Sequence, residues 1–242
     1  RNLQIPHDYS RVLVVSTGTF VKFAKLGNTE TRASFNRPLY VTHTSPDSLP
    51  ELHHGLEMVD FLVWDDAEPE RLTQKQLAAI IEWVRHGGTL LIAASKSAGA
   101  IRLADPLRDI LPVELGELRT VENLPGLRSK LLEPPRTDGD VRDPTMPDWL
   151  EAPFPAPVQV VRTTLRPDAW SVLREKGDGS EIISRRREGR GQVIFSGITL
   201  RDLFSAPCSV TSFFRKLFYL RRAGDNEVRA EGVSLFGEVA SA

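Results

Sequence analysis

Residues 60–99 hold the pattern that most constrains what this chain can fold into: an apolar run, an amphipathic segment closed by two glycines, a second apolar run and a turn of small residues. In order they read DFLVWDD, TQKQLAAIIEWVRHGG, TLLIAAS and KSAGA. A strand, a helix and a second strand in that succession make one β-α-β unit of a parallel sheet. Open α/β folds keep their sites at the carboxyl ends of such strands. Asp65, Asp66, Ser95, Lys96 and Ser97 are therefore expected to meet in one crevice.

The helix of this unit is signalled at both ends. Thr73 is an N-cap candidate with Gln76 three residues on, the capping-box spacing. Gly87 follows Arg85 and His86 where a helix commonly ends on a left-handed residue. Leu77, Ile80, Ile81 and Val84 recur at helical spacing and should pack on the sheet, with Trp83 and Leu90 extending that surface.

Upstream, RVLVVSTG (11–18) reads as the first parallel strand, with Thr17, Gly18 and Thr19 at its carboxyl end. Residues 20–38 have weak periodicity, and PLYVTHTSP (38–46) reads as a second strand. Prolines crowd residues 112–157, so this stretch is expected to leave the sheet as an irregular insertion or flap over the crevice. The β signal returns at Val158 with VQVVRTTL, AWSVLRE, EIISRRR and QVIFSGI. GDG and GRG supply positive-φ residues for tight turns, which suggests two hairpins sharing a middle strand. A last helix should begin at Ser209 and bury Val210, Phe213, Phe214 and Leu217. The expected class is α/β: a mostly parallel, flavodoxin-like sheet with helices on both faces and an antiparallel C-terminal extension. One domain is expected over residues 1–223, with a polar tail or linker over 224–242.

Composition narrows the partners. In 242 residues, 31 basic and 32 acidic side chains leave a net charge of −1, so no global field favours nucleic acid or an anionic membrane. The single cysteine, Cys208, excludes an internal disulfide and a Cys-based zinc site. No run approaches the roughly 18 apolar residues of a membrane span. The chain starts at Arg1 rather than Met and ends in a polar stretch, so it reads as a piece of a longer protein whose anchor would lie in flanking regions.

The succession RVLVVST, DFLVWDD, a helix ending in GG, TLLIAAS, then GQVIFSGI before a closing helix resembles the class I glutamine amidotransferase-like superfamily. The stretch VLREKGDGSEIISRRREGRGQVIFSG (172–197) is similar to its divergent, membrane-linked bacterial members. That resemblance implies a nucleophilic cysteine after the strand at 89–94, where Ala94, Ser95 and Lys96 stand instead. It implies a histidine with a glutamate two residues on after the strand at 192–197, where Ile198, Thr199, Leu200, Arg201 and Asp202 stand. Asp65 and Asp66 replace a glycine pair, and carboxylates there would repel a developing oxyanion. The implied protein is a non-catalytic module of a bacterial envelope protein, extracytoplasmic or membrane-associated, with a cytoplasmic location as the alternative. It would bind a small molecule or a protein partner through Thr17, Asp65, Asp66, Ser95, Lys96, Ser97 and Thr199, without a cofactor or metal.

Other chemistry competes with blander explanations. Ser95 beside Lys96 could pair nucleophile and base, yet adjacent residues leaving a strand point apart. A hydrolase or transferase at Asp65, Asp66 and Ser95 would need a third converging group. Asp65 and Asp66 could hold a divalent cation with Asp202 or Glu68, but solvating a strand end and capping the following turn is the favoured explanation. His53 and His54 lack an obvious third ligand and read as surface residues. Cys208, before the last helix, reads as a packed thiol. Arg185–Arg187 with Arg190, and Arg215, Lys216, Arg221 and Arg222, read as a solvated hairpin and a helix end rather than an anion-binding surface. A carbohydrate-associated module would require Trp64, Trp149 and Trp170 to be exposed for stacking.

Overall fold

The computed structural model describes residues 10–16, 39–134, 147–175, 179–206 and 208–219. Five strands run parallel: β1 (Ser10–Ser16), β2 (Leu39–Thr44), β3 (Phe61–Asp65), β4 (Thr89–Ala93) and, far along the chain, β9 (Gly191–Ser196). Their order is β2-β1-β3-β4-β9, and β8 (Glu181–Glu188) and β7 (Ala169–Arg174) extend the same sheet antiparallel beyond β9. The fold is thus mixed α/β with a mostly parallel seven-stranded sheet and an antiparallel extension, as the sequence patterns indicate.

Side chains alternate strictly between two cores. Val63, Leu91, Ala93 and Ile194 face one side; Leu62, Trp64, Leu90, Ile92, Val193 and Phe195 face the other. This is why the central strands read as unbroken apolar runs: each pleat is buried on both faces. The second side is covered by α1 (Gln74–Arg85), α2 (Ala98–Leu103) and α3 (Asp105–Ile110), and Leu77, Ile80, Ile81, Trp83 and Val84 of α1 are all buried there. The first side is covered by α4 (Pro125–Lys130), α6 (Leu200–Leu203) and α7 (Val210–Tyr219). Phe213, Phe214, Leu217 and Phe218 of α7 are buried, whereas Val210 is only partly so. Phe218 stacks on Phe61 at 3.9 Å and tethers α7 to β3.

Both ends of α1 form as their residues dictate. Thr73 Oγ1 accepts the Gln76 N–H and Gln76 Oε1 accepts the Thr73 N–H, completing a capping box, while Gly87 takes a φ of 125° just past the last turn. The Gly189–Arg190 turn between β8 and β9 has positive φ only at Gly189, and there the Arg190 N–H reaches the Arg85 carbonyl at 2.9 Å.

The proline-rich stretch corrects the expectation of an irregular flap. Val113–Val121 forms β5, which pairs antiparallel with β6 (Val158–Leu165) in a separate two-stranded sheet. VELGELRTV is itself free of proline, and Pro125 and Pro147 open α4 and α5 (Pro147–Glu151), where a missing N–H costs nothing. Leu124, Leu127, Leu131, Leu132, Phe154, Val158 and Val160 join the first core, so the insertion completes the hydrophobic interior. The Val161 N–H donates to the Gly197 carbonyl at 2.8 Å, tying β6 to the exit of β9. The tail expected over 224–242 and the GDG turn at residues 177 and 178 lie outside the described residues.

Candidate functional site

Ser16, Asp65, Ala93 and Ser196 stand in register across the carboxyl edge of β1, β3, β4 and β9. The side chains expected to meet here lie around the second and third of these strands. Asp66, the first residue past β3, holds a φ of 49°, a left-handed conformation that aspartate tolerates better than most residues. Its N–H donates to the Ala93 carbonyl at 2.7 Å, and its Oδ1 accepts the Ser95 N–H (3.2 Å), the Ser97 N–H (3.1 Å) and the Ser97 hydroxyl (2.7 Å). One carboxylate oxygen thereby organises the whole turn leaving β4.

Asp65 points elsewhere. It is 6% exposed, and its Oδ1 accepts the N–H of Leu200, the first residue of α6, at 2.8 Å. Burial pushes its carboxyl up to about 7; the Leu200 N–H and Arg201 pull it down, and Asp66 and Asp202 push it further up. Thr199 is buried as the N-cap of α6, its Oγ1 accepting the Asp202 N–H at 3.1 Å. Ser95 is also buried, and Lys96 is exposed. The structure therefore brings Asp65, Asp66, Ser95, Ser97 and Thr199 together, leaves Lys96 at the rim, and does not describe Thr17.

What these groups do is connect the chain to itself. The two carboxylates bind backbone N–H groups from two different loops, one from the β4 exit and one from the β9 exit. Asp66 Oδ1 already has three donors, and Glu68 is exposed. Among the described residues, the cluster of metal-ligating groups is His53, His54 and Glu57, near the opposite end of the sheet. The sequence reading missed Glu57; the signal was the spacing His54-x-x-Glu57, which a 3-10 turn over His53–Leu56 places on one edge.

Other candidates are also relocated. Arg185 is 3% exposed and donates to the Leu217 carbonyl, with burial pushing its guanidinium down to about 10, so this part of the hairpin is not solvated. Arg186 pairs with Asp168 at 2.7 Å, and Arg187 and Arg190 are exposed. Lys216 and Arg215 both pair with Glu133, at 3.1 and 3.5 Å; Arg221 and Arg222 lie outside the described residues. Cys208 is half-buried against the first core, as a packed thiol should be. Trp64 is buried, donating to the Ala67 carbonyl at 2.9 Å, and Trp149 and Trp170 are partly buried, with Arg128 lying 4.7 Å over the Trp149 ring; Trp64 offers no face to a sugar.

A parallel sheet in the order β2-β1-β3-β4-β9, covered on both faces, defines an open doubly wound α/β protein of flavodoxin-like strand order. Residues 45–206, about two-thirds of the sequence, match the family described as Domain of unknown function (DUF7408), and the chain belongs to it. No curated protein matches the chain. Among solved structures, the cytoplasmic protein STM1381 from Salmonella typhimurium LT2 is similar at 13% identity over 86% of this chain and 98% of its own, with a TM-score of 0.54. The cytoplasmic protein STM3548 from Salmonella typhimurium is similar at 16% identity over 85% and 96%, with a TM-score of 0.53. The mmIFT52 N-terminal domain is similar at 9% identity over 86% and 95%, with a TM-score of 0.51. At these identities the likenesses bear on the fold alone. No helix among the described residues is long and apolar enough to cross a membrane.

Proposed function

We propose that the chain is a non-catalytic binding module of amidotransferase-like design, the soluble part of a bacterial envelope protein, which engages a ligand or partner at the crevice beside β3 and β4. The observation that carries this reading is the commitment of Asp65 and Asp66 to backbone N–H groups. A carboxyl whose Oδ1 is held in this way shapes a surface, and that oxygen is not free to receive a metal. Where the resemblance implies a nucleophilic cysteine stand Ala94, Ser95 and Lys96, and where it implies the histidine and glutamate stand residues 198–202, with Thr199 serving as the cap of α6. The assay is ammonia release from glutamine, alongside thermal shifts of the wild type and Lys96→Ala with amino acids, nucleotides and sugars. The expected result is no ammonia above the blank and a stabilisation by one ligand class that Lys96→Ala weakens. Catalytic ammonia release would overturn the reading. Recovery of the native, full-length protein from a cytosolic fraction would remove its envelope assignment.

A further inference from the structure

Below β3 and β4, at their amino ends, lies a cavity of about 300 Å³ lined by His53, Glu57, Val59, Trp83, His86 and Gly88 among others. We propose that His53, His54 and Glu57 bind a divalent transition-metal ion of the zinc type at the mouth of this cavity, with His86 as a positioning residue behind them. This inference is independent of the amidotransferase-like reading and concerns the other end of the sheet.

Three features converge on it. One ligand atom from each of His53, His54 and Glu57 lies within 4.8 Å of the other two. Two imidazoles and a carboxylate are the donors that zinc and its neighbours accept. The His53–Leu56 turn is 3-10, so side chains three residues apart eclipse: His54 Nε2 stands 3.7 Å from Glu57 Oε1. Donor atoms around a tetrahedral ion sit about 3.3 Å apart, given bonds of roughly 2.0 Å. Closing the set therefore takes about 1.5 Å of movement, which side-chain rotation supplies because His54 and Glu57 are exposed.

His86 holds the arrangement from behind. Its ring stacks on His53 with centroids 4.9 Å apart and planes within 5°, while His54 lies 3.9 Å from His53 on a tilted plane. The His86 Nδ1–H donates to the Glu82 carbonyl at 2.8 Å, with the Glu82 carboxylate 3.5 Å from the same nitrogen, and these contacts orient the ring. The last turn of α1 thus orients an imidazole that restrains His53. Three protein ligands leave a coordination position open, and since His53 and Glu57 also line the cavity, that position faces space for water or a small anionic ligand.

The test is calorimetric titration of the metal-free 242-residue chain with zinc chloride, repeated on His54→Ala, Glu57→Gln and the double variant His53→Ala/His54→Ala. These residues are at the surface, and circular dichroism checks that each variant is folded. One saturable equivalent is expected for the wild type, with at least tenfold weaker binding for each single variant and none for the double one. His43→Ala, on β2, should bind as the wild type does. In cobalt-loaded protein, His86→Ala should alter the visible ligand-field spectrum while retaining stoichiometry, which loss of a merely structural ring would not do. Absence of a saturable equivalent in the wild type, or its persistence in the double variant, overturns the proposal.

Discussion

The two ends of the parallel sheet use their polar side chains in opposite ways. At the carboxyl end, Asp65, Asp66 and Thr199 are each hydrogen-bonded to the backbone of a neighbouring loop or helix start, and the loops are thereby fixed. At the amino end the loops are fixed by close backbone approach: the Gln192 N–H meets the Gly88 carbonyl at 3.1 Å and the Arg190 N–H meets Arg85, with Gly191 packed beneath α1. Side chains help there too, the Trp83 Nε1–H donating to the Val59 carbonyl at 3.2 Å and the Gln192 side-chain amide to Thr89 Oγ1 at 3.1 Å, while the side chains of His53, His54 and Glu57 lie outside these contacts. The convention that ligands sit at carboxyl ends points to Asp65 and Asp66, whose Oδ1 atoms are spent on backbone N–H groups.

The largest expected effect tests whether the Asp65 charge is tolerated for a structural reason. Its carboxyl titrates at about 7 in the folded chain because it is buried, against an ordinary value of 3.8. Between those two pH values the folded state holds a proton that the unfolded state has lost. Asp65 therefore contributes stability that is present in full below pH 4 and lost as pH rises through about 7, on the order of 4 kcal/mol in total. Asp65→Asn keeps an acceptor for the Leu200 N–H without the charge. Urea unfolding of both proteins at pH 4 and pH 8 should show the variant gaining several kcal/mol on the wild type between them. A pH-independent difference would mean that Asp65 is ionised throughout.

At the other end, Gly191→Ala should cost about 3 kcal/mol, because a Cβ there would lie 2.0 Å from the Val84 carbonyl oxygen and 2.3 Å from that of Gly88. Gly99 in α2 has nothing within 4 Å of an added Cβ, so Gly99→Ala should be neutral or slightly stabilising. If the two substitutions proved equivalent in thermal unfolding, close backbone packing would not be what secures the amino end. Smaller again is the loss for Asp66→Ala, about 2 kcal/mol from three lost hydrogen bonds and a left-handed backbone without an Asx side chain. Asp66→Asn should lose less, since asparagine keeps both an acceptor and the tolerance for that φ.

The sequence made the parallel core legible because each central strand is buried on both faces, so Leu62, Val63 and Trp64, or Leu90, Leu91 and Ile92, form runs that nothing but a covered sheet explains. The α1 caps were legible because capping is local in sequence. The β5–β6 pair was not: its partners are separated by some forty residues containing many prolines, and prolines that start α4 and α5 look in sequence like prolines that forbid structure. At the carboxyl end the sequence pattern brings Asp65, Asp66 and Ser95 near one another, but their bonding was not visible, because Asp65 meets Leu200 across 135 positions. The burial of Arg185 was hidden likewise, its acceptor being a carbonyl on α7.

The smallest effect separates a local cap from one that also ties two segments together. α1 starts near the crevice and ends at the cavity, so its N-terminus belongs to the end stabilised by side-chain hydrogen bonds. Thr73→Ala removes one acceptor from an exposed helix start and should cost about 1 kcal/mol. Gln76 is 5% exposed and, besides closing the box, donates to the Leu49 carbonyl at 2.7 Å and to that of Asp47 at 3.2 Å. Gln76→Ala leaves those carbonyls unmet and should cost about 2 kcal/mol. Unfolding midpoints of the two variants decide the matter. If Gln76→Ala loses more, this side chain fastens the segment carrying His53 and His54 to α1, and the two ends of the sheet are mechanically joined through it. If both lose the same, the box is a helix cap alone and the histidine turn owes its position to His86 and the packing of Leu56.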